Sequence, residues 1–325
     1  MSSLESVKTP SDVSRDCEES IDLIQLVADL LLLHGDPEPT ALEPVTSASD
    51  SYAKCRDTIV ARTKGLAIMV NELATQIRAN KLADVSRTIR SGAEAVVALT
   101  EAATHAAYTV GVADPGSTAA YPGLVDRYRF SRAKHRILGA CARFDLSYGI
   151  LTEQQILQIS AQIAHNLTIL TETCQIAANQ AADPQSQDQF RQCSKSISGT
   201  TAALLASIKA YAKTRQDKDR EKCVIFSKPL IEVIDAVLAF GALAEYAGEP
   251  ARMSEIGKST QQAILGGAMA TVASCVKLFN VIPGLVRNVA DTEAWKNLML
   301  CSKAVAEATK LLCSALREHS IEGLK

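Results

Sequence analysis

Aromatic residues are scarce in this chain: they make up 4% of its 325 residues, with a single tryptophan. β-Sandwiches and barrels draw on aromatic and β-branched side chains with frequent turns, so this scarcity speaks against them. Glycine and proline are also few, at 16 and 10. Alanine is abundant instead, which favours long helices at close spacing. No sign of charge dominates. The net charge of -2 excludes a global basic field for nucleic acid and an acidic solvating tail. The nine cysteines form no Cys-x-x-Cys pair, and each falls in a helix-like run. They read as small core residues in a reducing, cytoplasmic compartment, not as a disulfide framework or zinc site. Residues Met1 to Asp16 are polar and carry acids, unlike a signal peptide. The uninterrupted apolar runs are only a handful of residues long, so no membrane insertion is expected.

Catalytic signatures are missing as well. His34, His105, His135, His165 and His319 show neither His-x-x-x-His nor Glu-x-x-His spacing. Each is expected at the surface or at a helix cap. There is no phosphate-binding glycine loop and no Gly-x-Ser-x-Gly. Gly266-Gly267 lies within an apolar helical run with no strand before it, which implies close helix packing. Without a nucleophile–base–orienter set, no enzyme activity, cofactor or metal is expected.

What the chain does have is apolar residues at helical spacing, punctuated by prolines. Nine helices are expected: about Ser14–Leu33, Asp50–Asn80, Ala83–Val112, Gly123–Phe144, Thr152–Ala182, Gln185–Arg215, Asp219–Tyr246, Ala251–Ala290 and Thr292–Ser320. The third keeps 4-3-4-3 spacing through Val85, Ile89, Gly92, Val96, Leu99, Ala103, Ala106 and Val110. That period means near-antiparallel bundle packing. Thr152 and Gln155 form the pattern of a capping box. Pro229 and Pro283 fall within helical runs and should kink them or lie in a first turn. The fold class is all-α, built from up-down bundles.

Two features suggest function. The first is basic. Residues 121–247 carry 15 Lys/Arg against 12 Asp/Glu, a net of +3, while the remainder is -5. Arg127, Arg129, Arg132, Lys134, Lys213, Arg215 and Lys218 are the candidates for a polyanionic partner, chosen on charge alone. The second is the seventh helix, which has two apolar stripes. Cys223, Phe226, Leu230, Val233, Val237 and Phe240 make one, and Val224, Ile231, Ile234 and Leu238 the other. One stripe suffices for a four-helix core. The surplus implies a central helix or a face buried against a partner, including a second copy.

Several runs carry a resemblance. They are Leu26–Leu33, Cys55–Leu66, His105–Tyr108, Pro122–Arg129 and Gln262–Met269, in order along almost the whole chain. They resemble the talin rod domain-containing family and, behind it, the seventh and eighth bundles of the talin rod. The resemblance implies a five-helix bundle with a four-helix bundle inserted between its third and fourth helices. The expected divisions are a disordered arm at 1–13, a discontinuous five-helix bundle at 14–120 plus 248–320, and the insert at 121–247. It further implies F-actin binding in the actin cytoskeleton, with filament bundling by a homodimer joined through the insert. Carried onto this chain, the dimer contact would use Phe226 first, with Leu230, Val233 and Cys223. An alternative is an adaptor that accepts amphipathic, leucine-aspartate-type helical peptides in a bundle groove. Thr100, Thr104, Thr109, Ser302 and Thr309 put hydroxyls on or near bundle seams, a pattern that can lower bundle stability.

Overall fold

A computed structural model describes residues 8–28, 48–121, 123–125, 127–145 and 151–319. Among these residues nine helices and no named strands occur: α1 (Pro10–Ala28), α2 (Ala48–Arg78), α3 (Leu82–Ala113), α4 (Arg127–Ala142), α5 (Glu153–Gln180), α6 (Pro184–Thr214), α7 (Asp217–Gly241), α8 (Glu255–Arg287) and α9 (Thr292–Glu318). The chain is all-α, and several helix starts have a local cause. Thr152 accepts the Gln155 N–H while Gln155 Oε1 accepts the Thr152 N–H, the reciprocal box expected at α5. Asp183 caps α6 and Pro184 fills its first turn. Asp291 accepts the N–H groups of both Glu293 and Ala294 at α9.

The described residues divide into two compact units. In the first, covering 8–28, 48–119 and 251–319, α3 packs against α1, α2 and α8, and α9 packs against α8 and α2. Its core gathers Ile24, Ile59, Leu73, Ile89, Leu99, Cys275, Phe279 and Leu312. In the second, residues 120–250, the four helices close a ring in the order α4, α5, α6, α7 and back to α4. Its core gathers Phe130, Ile137, Ile163, Leu170, Ile197, Leu204 and Ile234. Here Gly123 has to be glycine, because a Cβ would lie 2.4 Å from the Tyr246 carbonyl oxygen.

Several expectations need correction. Residues 10–13, read as part of an N-terminal arm, belong to α1. Thr9 and Asp12 exchange backbone and side-chain hydrogen bonds, and Val13 is fully buried. The expected run Leu30–Leu33 and the linker before α2 lie outside the described residues. Helix α8 is long and apolar enough to cross a membrane, although no single apolar run reveals it. Its Ile264, Ala268, Cys275 and Ile282 are buried in the core of the first unit, as befits a core helix. Pro229 and Pro283 lie inside α7 and α8, which continue helically past them.

Candidate functional site

The outer face of α7 is the best candidate. Cys223, Ser227, Leu230, Ile234 and Val237 form its buried stripe at helical spacing. Val224, Ile231 and Leu238 form a half-buried flank on the side where Lys134 of α4 pairs with Asp235. Val233 and Phe240 lie half-buried on the other flank, and Phe240 stacks 4.9 Å from Phe190 of α6. Phe226, on the same flank as Val233, is 39% exposed, and between the flanks Ile225 is 58% exposed. Pro229 and Ala236 continue that face. Of the four residues assigned to a dimer contact from sequence, Phe226 and Val233 therefore reach the surface. Cys223 and Leu230 do not, because the core of their own bundle consumes them.

Structure thins the basic candidates. Lys134 is paired with Asp235, and Arg129 lies 3.4 Å from Glu172. Arg132 is half-buried. Arg215 adopts a left-handed φ of 56° at the end of α6. Its guanidinium donates to the carbonyls of Leu151 and Ala212. The Arg127 side chain lies outside the described residues. Lys213 and Lys218 remain exposed, and Lys209 one turn before Lys213 joins them. All three sit around the turn between α6 and α7. Hydrogen bonds from Lys222 and Thr214 hold the Asp219 carboxyl below the usual range there.

Charge counting includes Arg220 among the cations and does not reveal its role. Arg220 is 2% exposed, and its guanidinium donates to the carbonyls of Phe144, Arg143 and Asp145. A buried arginine with its donors on carbonyls past a helix end is a structural clamp. The histidines also need a correction. His105 is buried and hydrogen-bonds Ser51 through Nε2, because α1, α2 and α8 surround α3. His34 lies outside the described residues. The seam hydroxyls of Thr104, Thr109, Ser302 and Thr309 donate to carbonyls four residues earlier. Thr100 Oγ1 finds no hydrogen-bond partner among the described residues. Among the described residues no cluster of three or more His, Cys, Asp or Glu is placed to hold a metal, and the nine cysteines are free.

Comparison with known proteins gives this geometry a context. Residues 125–242, which include α4 to α7, match the model of the Talin IBS2B domain family. The chain is 32% identical to the talin of Oscarella pearsei over 306 residues, covering 94% of this chain and 12% of that protein. It is 30% identical to talin-1 of Gallus gallus over 307 residues and 29% identical to talin-2 of Mus musculus over 306, with the same coverage. The chain thus spans about an eighth of the length of these relatives, 12% in each case.

Proposed function

We propose that this talin-rod-like chain is a cytoskeletal helical-bundle protein that binds filamentous actin and cross-links filaments as a homodimer. The observation that carries the reading is the unpartnered apolar face of α7. A bundle that has already filled its core with Cys223, Leu230 and Ile234 still shows Ile225 and Phe226 to solvent. Contiguous exposed apolar surface rimmed by polar groups is the signature of an interaction face. A twofold dimer covers such a face with the same face of a second copy. Lys209, Lys213 and Lys218 supply the cationic contact with the acidic filament surface. One actin-binding surface per subunit decorates a filament, whereas two held back to back join filaments.

Cosedimentation tests this directly. High-speed pelleting reports binding and low-speed pelleting reports bundling; a protein that stays in the supernatant in both spins sinks the proposal. Phe226→Asp places a carboxylate in the dimer seam, where an uncompensated charge costs several kcal/mol. The variant is expected to run at monomer mass in multi-angle light scattering, to bind filaments and to lose bundling. A dimeric Phe226→Asp protein removes the face assignment.

A second reading is an adaptor for amphipathic helices. The exposed Leu157 and Ile176 on α5, at 63% and 45%, favour it. An amphipathic partner presents its own apolar side chains at i, i+3, i+4 and i+7 spacing. A labelled leucine-aspartate-type peptide that saturates equally on wild type and Phe226→Asp supports a groove separate from the dimer.

A further inference from the structure

The exposed side of α7 is self-complementary in charge as well as apolar. Lys228 and Glu232 are exposed and one turn apart. Neither takes part in an ion pair among the described residues, whereas Asp235 is held by Lys134 and Lys222 by Asp219. At about 100° per residue, Lys228 and Glu232 fall on the flank of α7 nearer α4. Phe226 and Val233 fall on the opposite flank, and Ile225 and Ala236 lie between.

When two copies of one helix pack antiparallel about a twofold axis, like flanks meet. A residue before the axis then faces the residue equally far beyond it on the other copy. Resting on the dimer reading above, we propose a specific register: α7 packs against α7 antiparallel, with the twofold passing at the height of Leu230. Lys228 then faces Glu232 of the partner subunit, and the symmetry makes that pair twice. Phe226 faces the partner's Val233 on the other flank, and Ile225 faces the partner's Ala236 between them. All three pairings share one centre to within half a residue. A charge pair, an aromatic–aliphatic pair and a large–small pair thus specify the same axis. The charged flank selects the register, since a shift of one turn in either direction brings lysine to lysine or glutamate to glutamate.

Charge reversal in the full-length chain tests the register. Lys228→Glu alone sets two glutamates against each other at both pairs, and Glu232→Lys alone sets two lysines. Each single variant is expected to dimerise at least about tenfold more weakly than wild type at low salt. That magnitude fits two exposed pairs turned from attraction to repulsion. An equimolar mixture of the two variants is expected to form a heterodimer of wild-type strength, because both cross-pairs are again opposite in sign. The double variant in one chain is expected to recover likewise. Both residue changes lie at solvent-facing positions, and circular dichroism checks that helicity is kept. Wild-type protein that stays monomeric at its highest soluble concentration overturns the dimer reading, and the register with it. Dimeric wild type with single variants that dimerise equally well, or a mixture that fails to recover, overturns the register and leaves the dimer standing.

Discussion

Gly266 and Gly267 are neighbours in the middle of α8, and alanine at the two positions should change stability in opposite directions. A Cβ on Gly267 would lie 2.7 Å from Leu312 Cα and 3.0 Å from Leu312 N and Cβ. Carbon atoms rest at about 3.5–4.0 Å, so the backbone of α9 has to retreat by roughly 1 Å. Overpacking of this kind costs about 1–3 kcal/mol. Helix propensity returns at most about 1 kcal/mol. Gly267→Ala is therefore expected to lose up to about 2 kcal/mol. A Cβ on Gly266 meets nothing within 4 Å. Propensity acts alone there, and Gly266→Ala should gain about 0.5–1 kcal/mol. The assay is provided by the molecule. Trp295 is the sole tryptophan, its Nε1 donates to the Val289 carbonyl at 2.8 Å, and the Arg78 guanidinium sits 4.7 Å from its ring centre. Its fluorescence therefore reports unfolding of the unit built from α1, α2, α3, α8 and α9. The urea midpoint should fall for Gly267→Ala and rise for Gly266→Ala. A Gly267→Ala midpoint at or above wild type would refute the claim that α8 and α9 touch through backbone at this point.

Three further outcomes follow from buried polar and thiol groups. Arg220→Met strands the carbonyls of Phe144, Arg143 and Asp145 and should cost about 3 kcal/mol; hydrogen exchange at the end of α4 that matches wild type counts against the clamp. Hydrogen bonding depresses the carboxyls of Asp12, Asp183, Asp219 and Glu255 below their ordinary values of 3.8 for aspartate and 4.5 for glutamate. Their contribution is fully present above those values and is lost as pH falls through the lower folded ones. Stability should thus be level from neutral pH to about 5 and decline below about 4; a decline that begins near pH 6 points to other groups. Burial pushes the thiols of Cys17, Cys141, Cys174, Cys223 and Cys275 up to about 12. Those five should stay silent to a thiol reagent at mildly alkaline pH until the protein unfolds; native labelling of Cys275 as fast as that of Cys313 contradicts the packing.

What was legible in the sequence was whatever a single helix decides for itself. The 4-3-4-3 seam of α3 is buried from Val85 to Val110, since a period of 3.5 needs only one apolar side. The capping box at Thr152 closes within four residues and needs no tertiary partner. The errors arose where distant chain segments decide. His105 lies off the seam of α3, and only the arrangement of α1, α2 and α8 around that helix buries it. Lys134 and Arg129 looked like free cations because Asp235 and Glu172 are remote in sequence. Gly266 and Gly267 looked equivalent because only the course of α9 separates them. The same logic applies to α7. Both its stripes are apolar, so periodicity alone could not say which one faces inward. The ring of α4, α5 and α6 takes Cys223, Leu230 and Ile234, and it leaves Ile225 and Phe226 outside. The residues that survive this long-range subtraction are therefore a stricter choice than either stripe. They are the apolar groups, with Lys228 and Glu232, which form no ion pair among the described residues. Under the proposed dimer, a second copy in antiparallel register meets them with the same residues of its own α7.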